Sequence, residues 1–439
     1  MIGAHSSAMI GAGPAMAILV TVLSAGSAQA EVAKTTFETR ARAEALATIT
    51  VTCDTCAWDV AGREAVVLSI ALDGRYLQHL PIVRTGQAEY RVMLGRVEPG
   101  LHTVVIDQDA ELTAPALRGG AHIVVNTIVV DQIDAGARAY TAISLAPIVY
   151  ARPDTVGTYT DVPVFMWYEI EPTARGTRYR YSVIFTNEDG GTPADRLMVT
   201  WGRTTDIGYL YSVEIDRTGA ILDDDIQGPE HEVLPFKGRR EGAHPLLWVS
   251  TDNNMVLPEG TTRVRYAPAP MSFALRDVSR EAVMDAHPWL YAVMANELIR
   301  EAKIVAGAPA GQGTIPDPRC FVFIEGCGEL ADKALTFAVR VGAQWISSDR
   351  GVSDYRIVRD GCFRAAIPLS ATANLKDVRA IRAQVFAREG QTNTAPARLT
   401  RINTVFALDE RFVPGTTVLH WTGAAQLRPG GPAFELAVR

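Results

Sequence analysis

The sequence lacks the short motifs that mark several large enzyme classes. It contains no G-x-S-x-G nucleophile motif, no G-x-x-x-x-G-K-[ST] phosphate-binding loop and no H-E-x-x-H zinc motif. A G-x-G occurs at Gly311–Gly313, but it has no third glycine and no strand–turn–helix context, so it is not a dinucleotide fingerprint. Serine hydrolases, P-loop enzymes and zincins therefore have no local support.

Basic residues are fewer than acidic ones, with 42 Lys and Arg against 49 Asp and Glu and a formal net charge of −7. This balance excludes a dedicated nucleic-acid binder, which normally carries a basic stripe. The Lys and Arg residues are scattered, so an anionic membrane surface is not indicated as a partner. The 439 residues are 48% hydrophobic and 21% charged, as in a globular protein of roughly three domains.

Long apolar runs are also missing after the N-terminus. Ala15–Leu23 is apolar but shorter than a membrane span, and small residues follow it up to Ala28-Gln29-Ala30. This pattern predicts an export signal over residues 1–30 and a secreted or periplasmic mature protein without a transmembrane segment. No Lys or Arg precedes the apolar run, and the alternative is an apolar N-terminus of a cytoplasmic protein.

Cysteines are few, at five. In an exported chain the default is disulfide pairing. Cys53 and Cys56 follow strand-like residues rather than opening a helix, which favours a local structural disulfide over a redox motif. Two of Cys320, Cys327 and Cys362 are predicted to pair and one to stay free, with the choice undecided by sequence.

Short strand patterns separated by turn signals run through the whole chain. They predict a mainly β protein with three β-sandwich-like domains at 31–147, 148–307 and 308–439. The run Pro99–Ile106 resembles the later strands of immunoglobulin-like and fibronectin-like modules. The resemblance implies an immunoglobulin- or fibronectin-like sandwich over 31–147 that serves as a spacer or a binder.

The central domain is predicted to combine strands with one C-terminal helix packed on its sheet. Leu197–Trp201 and Tyr209–Ile215 have strand patterns, and alternation in the second predicts one inward face and one face toward solvent or a cleft. The helix is predicted from an apolar stripe at i, i+3, i+4 and i+8, formed by Leu290, Val293, Met294 and Leu298.

Ionisable residues concentrate in this domain, mostly at strand ends and in turns, where a rigid sheet fixes side chains for ligands or catalysis. The predicted catalytic residues are Asp206, His231, His244 and Asp252. A histidine paired with a carboxylate serves as a general base near neutral pH. The same residue types also suit a divalent metal, calcium or zinc. The alternative is structural, because such side chains often satisfy backbone groups in turns.

A second group of residues is predicted to bind substrate through charge, stacking or hydroxyl contacts: Arg178, Arg180, Trp201, Arg203, Asn253 and Asn254. Arg178 and Arg180 alternate with tyrosines, which predicts one cationic and one aromatic strand face. The acidic run Asp223–Gly228 resembles the start of an EF-hand loop, but Leu234 stands where that loop needs glutamate. A solvated acidic turn is the prediction for it.

Three functions follow as hypotheses. The first is an exported hydrolase that acts on a polymeric glycan or ester with a His/Asp site in the central domain. The second is a non-catalytic extracytoplasmic protein that binds a glycan or another surface ligand. The third is a structural component without a small-molecule site.

Overall fold

The structure, a computed structural model, describes residues 30–119, 122–188 and 190–438. The described part of the chain is mainly β, as predicted, with several antiparallel sheets and four α-helices. None of those helices has the length and apolar character that crossing a bilayer requires. The predicted export signal lies outside the described residues, except for Ala30.

Residues 30–134 form the N-terminal sandwich. One sheet has the order β1-β6-β3-β4 and the other β5-β2-β7. Alternate residues such as Ile49, Val51, Leu68 and Ile70 point between the sheets and are fully buried, which gives each strand its apolar inward face. The strands are β1 (Ala30–Thr39), β2 (Ala43–Cys53), β3 (Val67–Leu72), β4 (Arg75–Pro81), β5 (Gly86–Val97), β6 (Gly100–Gln108) and β7 (Val124–Asp134).

The central domain also has two sheets, and its four helices pack around them. Its strands are β8 (Ile148–Tyr150), β9 (Pro163–Pro172), β10 (Thr177–Phe185), β11 (Asp206–Ile215), β12 (Ile221–Gln227), β13 (Val233–Pro235), β14 (Arg240–Glu241), β15 (His244–Val249), β16 (Val256–Leu257), β17 (Arg265–Tyr266) and β18 (Met271–Ser272). The helices are α1 (Tyr140–Ser144), α2 (Ala194–Trp201), α3 (Ala282–Ala286) and α4 (Trp289–Arg300). The larger sheet has the order β13-β12-β11-β10-β9-β18, and the smaller β14-β15-β8-β17 with β16 beside β15.

The predicted helix is confirmed as α4, packed on the larger sheet. Leu290, Met294 and Leu298 lie in one apolar cluster with Trp167 of β9 and Ile184 of β10. This cluster covers one end of that sheet face. The other end of the same face carries charged residues of β9 and β10.

Residues 321–437 form the C-terminal sandwich, with sheet orders β22-β19-β24-β25 and β21-β20-β23-β26. Cys327 of β19 and Cys362 of β22 are directly opposite each other and form a disulfide, and Cys320 is free. Cys53 and Cys56 form the predicted local disulfide. The strands are β19 (Phe321–Glu329), β20 (Ala334–Val341), β21 (Gln344–Ser347), β22 (Gly361–Pro368), β23 (Val378–Phe386), β24 (Ala397–Phe406), β25 (Trp421–Leu427) and β26 (Phe434–Ala437).

Backbone hydrogen bonds join the N-terminal sandwich to the central domain. Met93 N–H donates to the Ala267 carbonyl oxygen (2.8 Å), and Ala269 N–H donates to that of Arg91 (3.0 Å). The Gln78 side chain adds a third bond between the domains by accepting from Ala267 N–H, and it donates to the Met93 carbonyl within its own domain. The predicted boundaries at 147/148 and 307/308 stay predictions.

Three local predictions are wrong. Leu197–Trp201 is the second half of helix α2 rather than a strand, and the helix ends at Gly202 in the left-handed conformation. Strand β11 is buried along its whole length, so neither of its faces is open to solvent. Asp223–Asp225 lie in strand β12 instead of a turn, and Asp224 and Asp225 form ion pairs with arginines.

Candidate ligand-binding cleft and the predicted site residues

The four predicted catalytic residues do not share one pocket. His244 is 2% exposed, and its Nδ1 donates to the Ala146 carbonyl oxygen (2.8 Å). Its Nε2 lies 3.1 Å from Oε2 of Glu44, a buried residue of β2 in the N-terminal sandwich. The histidine therefore joins two domains and is closed to a substrate.

Asp206 does come close to another predicted residue. Asn254 Nδ2 donates to Asp206 Oδ2 (3.1 Å) and to the backbone carbonyl of Asn187. Burial raises the pKa of Asp206, and the charge of Arg203 and the hydrogen bond from Asn254 partly oppose that rise. His231 is exposed in the turn between β12 and β13.

The remaining members of the Thr251–Asn254 turn are held by local contacts. Asp252 is exposed and pairs with the guanidinium of Arg152. Asn253 accepts a hydrogen bond from the Thr251 hydroxyl (2.7 Å). These contacts do not bring either side chain to Asp206. The turn as a whole therefore does not form the predicted substrate-binding site.

Glu188 is the residue beside Asp206 that the sequence analysis missed. Burial and the Asp206 carboxylate raise the pKa of Glu188 to about 7, and its Oε1 accepts from Thr192 N–H (3.0 Å). Glu188 lines a cavity of about 250 Å³, and Glu297 and Lys303 line it as well. A carboxyl group with such a pKa exchanges protons near neutral pH, which is the property of a general acid or base.

Strand β10 has the predicted alternation, but its aromatic face is not open to a ligand. Tyr179 and Tyr181 are buried between the two central sheets. Arg178 lies on the opposite face, where it pairs with Glu214 (3.0 Å) and Asp225 (3.2 Å). Its charge is therefore already balanced within the protein.

Three of the predicted substrate-binding residues lie near the junction with the C-terminal sandwich. Arg180 is exposed on β10. Trp201 ends α2, and the guanidinium of Arg359 lies over its ring, 5.2 Å from the centroid. Arg203 is buried, and its Nε donates to Oε1 of Glu281 (3.1 Å).

A metal centre receives no support from the geometry. Among residues 30–119, 122–188 and 190–438, no group of three or more His, Cys, Asp or Glu side chains is arranged to hold a metal ion. The calcium and zinc hypotheses therefore have no candidate set of ligands in this part of the chain.

A larger cavity than the one beside Glu188 lies in a different place, between the N-terminal sandwich and the central domain. Its volume is about 610 Å³, within the range of roughly 300–1,000 Å³ typical of small-molecule sites. We call it the interdomain cleft. Strands β4 and β5 and their connection line one side, and the start of β9, residues 266–271 and the start of α4 line the other.

Aromatic rings form one wall of the interdomain cleft. Phe165 packs against His287 with ring centroids 4.4 Å apart and against Trp289 at 6.5 Å. Burial lowers the pKa of His287, which favours the neutral form of this ring. Tyr90 contributes a further ring from β5. The wall offers apolar area on stiff side chains, which lose little conformational entropy on binding.

Arg84 brings a positive charge to the aromatic wall of the cleft. Its guanidinium lies 4.9 Å from the centroid of the Trp289 ring and 5.8 Å from that of Tyr90. Its N–H groups make one long contact, 3.4 Å, to the Glu89 carbonyl oxygen. Within the described part of the chain no carboxylate pairs with Arg84, and the exposed Arg91 lines the same cleft.

No local signal in the sequence marks this cleft. Arg84 and Trp289 are distant in sequence, and each sits in an apolar stretch that indicates only a core. The cleft exists because two domains pack together, which a linear pattern does not encode.

No protein-family model and no curated protein sequence matches this chain. Two solved structures share local likeness with it. One, described as the EclA C-terminal domain, a sugar-binding protein, is 13% identical over 24% of this chain and 68% of its own, with a TM-score of 0.18. The other, a GH2 beta-galacturonidase from Eisenbergiella tayi bound to galacturonate, is 10% identical over 37% of this chain and 23% of its own, with a TM-score of 0.16.

Proposed function

We propose that this protein is an extracytoplasmic binding protein whose interdomain cleft holds a sugar-like ring that carries a carboxylate. The observation that carries the proposal is Arg84, a guanidinium stacked near two aromatic rings in a large cleft without a carboxylate partner. Because the chain has a net negative charge, an arginine without a carboxylate partner is the more informative.

The chemistry of Arg84 determines the class of ligand. Stacking uses the flat face of a guanidinium and leaves its edge N–H groups free to donate, and that edge matches the two oxygens of a carboxylate. The aromatic wall beside it matches a ring with an apolar face. A uronic acid, alone or at the end of a glycan, has both features.

The place of action follows from other features. Two disulfides are present, and disulfides persist in oxidising compartments. Together with the predicted signal over residues 1–30, they support a periplasmic or secreted location, where polymeric acidic glycans are accessible.

Calorimetric titration tests the proposal with two matched probes, glucuronate and glucose, which differ in the carboxylate. We expect wild-type protein to bind glucuronate more tightly. Arg84→Gln should weaken glucuronate binding roughly 10- to 100-fold, the effect of losing a charge-assisted contact. Trp289→Ala should weaken binding of both probes.

Arg382→Gln is the matched control, because Arg382 also stacks on a tryptophan, Trp345, but lies outside the cleft. This variant should bind like wild type. Equal affinity of the wild type for both probes, or unchanged affinity of Arg84→Gln for glucuronate, would refute the proposal.

A hydrolase is the second candidate function, and the Glu188–Asp206 pair is the observation that favours it. Glycan hydrolysis commonly uses two carboxyl groups, one of which has a pKa near neutrality and protonates the leaving group. Glu188 has such a pKa and lines a cavity. In this assignment Glu188 is the proton donor, and His244, which the sequence suggested as a general base, takes no part.

Turnover on a panel of aryl glycosides and aryl esters tests this second function. Glu188→Gln should abolish turnover, whereas Glu435→Gln, at an exposed carboxylate of β26, should not. His231→Ala should change the rate only slightly, because His231 is a minor influence on Asp206. Absence of turnover in wild-type protein on the whole panel would eliminate the hydrolase.

A further inference from the structure

Four arginines lie within range of one another's charges where the charged end of the larger central sheet adjoins α3 and the C-terminal sandwich. Arg180 comes from β10, Arg203 from the residues after α2, Arg280 from the residues before α3, and Arg359 from the residues before β22. We call them the arginine cluster. None of the four lines the interdomain cleft, so the cluster is a separate feature.

The carboxylates near the cluster do not pair with all four arginines. Glu281 accepts from Arg203, and Glu169 stands opposite Arg180 across the β9–β10 pair. Glu171 approaches Arg180 from the outer edge, at 3.9 Å. Arg364 also lies close to Glu281, but it forms its own buried pairs.

Two members of the cluster are left without a carboxylate partner among the described residues. Arg280 is exposed, and it is close enough to Arg203, Glu281 and Glu169 for their charges to act on it. Arg359 stacks on Trp201 and donates one hydrogen bond, from Nη2 to the Thr200 carbonyl oxygen (2.9 Å). Its remaining edge N–H groups have no carboxylate partner in the described structure.

Holding these like charges close together reduces the stability of the fold. Burial lowers the pKa of Arg359 to about 10; the Glu281 carboxylate opposes this shift, and the charges of Arg203 and Arg280 add to it. Guanidinium groups repel one another unless an anion lies between them, and a bound oxyanion relieves that repulsion and accepts their N–H groups. Trp201 and the Thr200 carbonyl fix Arg359 in place before any ligand arrives.

We propose that the arginine cluster is a binding site for a tetrahedral oxyanion, a sulfate or phosphate group. Its oxygens accept hydrogen bonds from Arg280 and Arg359, and Arg203 adds positive charge nearby. Donors that approach from separate chain segments suit a tetrahedral group with three or four oxygens better than a flat carboxylate. The site thus differs in ligand chemistry from the interdomain cleft, and it stands whether or not the cleft binds a uronic acid.

Binding is measured by calorimetry with inorganic sulfate and inorganic phosphate, at ionic strength held constant with chloride. We expect saturable binding of one oxyanion per chain. Arg280→Gln should weaken it roughly 10-fold, and Arg280→Gln/Arg359→Gln roughly 100-fold or more. Because Arg280 is exposed, the Arg280→Gln variant should fold. The test therefore stays decisive even if the double variant does not fold.

Two further variants sharpen the result. Arg359→Lys keeps the charge but loses the planar fork and the stack on Trp201, so it should bind more weakly than wild type. Arg382→Gln, at a half-buried arginine stacked on Trp345, should bind like wild type. Absence of saturable binding to wild-type protein, or equal binding by wild type and Arg280→Gln, overturns the proposal.

The source of the oxyanion is decided by a second titration, with dextran sulfate against uncharged dextran. If dextran sulfate binds more tightly than free sulfate and loses affinity in Arg280→Gln, the group is presented on a polymer. If dextran sulfate does not compete with bound sulfate, the site takes the free ion. Both results keep the oxyanion site.

Discussion

His244 Nε2 lies 3.1 Å from Oε2 of Glu44, and both side chains are 2% exposed. The pair joins β15 of the central domain to β2 of the N-terminal sandwich. A histidine that the sequence suggested for catalysis therefore stabilises a domain interface.

Breaking this pair should destabilise the protein. His244→Leu leaves the Glu44 carboxylate buried without its partner, and we expect the free energy of unfolding to fall by about 3 kcal/mol. Chemical denaturation at neutral pH measures the loss. The double variant Glu44→Leu/His244→Leu should recover part of it, because no charge then remains buried. If the losses measured for Glu44→Leu and His244→Leu simply add up to that of the double variant, the two side chains do not interact.

Arg364 should be among the most sensitive positions of the C-terminal sandwich. It is fully buried and donates to Asp285 of α3, Glu325 of β19 and the Tyr291 hydroxyl of α4. Arg364→Met leaves two carboxylates without their cation, so we expect a loss of about 3–5 kcal/mol in the free energy of unfolding. Arg382→Gln, which breaks the exposed pair with Glu435, should cost less than about 1 kcal/mol. Similar losses in the two variants would contradict the assignment.

The two disulfides should contribute unequally. Cys327–Cys362 closes a separation of 35 residues and Cys53–Cys56 one of 3, and the constraint on the unfolded chain grows with loop length. Replacement of Cys327 and Cys362 by serine should lower the free energy of unfolding by about 4 kcal/mol, against about 1.5 kcal/mol for the other pair.

Thiol titration of the denatured, unreduced protein should detect the single thiol of Cys320. Three thiols, or none, would exclude this pairing.

Stability should fall as the pH rises toward alkaline values. Burial raises the pKa of Glu297 to about 7, whereas an unfolded glutamate titrates near about 4.3. Between those values the folded state holds the proton more tightly, so the free energy of unfolding decreases from about pH 5 to about pH 8. The decrease from Glu297 is roughly 3 kcal/mol, because one pKa unit corresponds to about 1.4 kcal/mol.

Denaturation at pH 5 and pH 8 measures this dependence. Glu297→Gln should flatten it, although Trp58 and Arg300, which donate to Glu297, then face a neutral amide. Glu188→Gln should remove a smaller part, because Glu188 is partly exposed and water screens its charge. Glu435→Gln should leave the dependence as in wild type. A Glu297→Gln variant with the full wild-type slope would rule out this assignment.

The sequence predicted the β class and α4 because both depend on local periodicity. The stripe from Leu290 to Leu298 repeats at helical spacing and is buried on one side. The strand prediction for Leu197–Trp201 was wrong because a short, mostly apolar run fits a strand or a helix. Only Pro193 and Gly202, at the ends of α2, indicate the helix.

The candidate sites were less predictable, because they depend on contacts between distant segments. The partner of His244 is Glu44, and the ring beside Arg84 belongs to Trp289. Neither pair has a signature in the linear order of residues. Trp201 and Arg203 were predicted as substrate-binding residues from their residue types alone, and their neighbour Arg359 comes from the other side of a domain junction.

The backbone bonds between Arg91–Met93 and Ala267–Ala269 run along the wall of the interdomain cleft. Since these bonds join the two domains along this wall, we expect the cleft to have its binding shape before a ligand arrives. Association should then follow a single step whose rate rises linearly with ligand concentration, without the plateau that a slow closing motion produces.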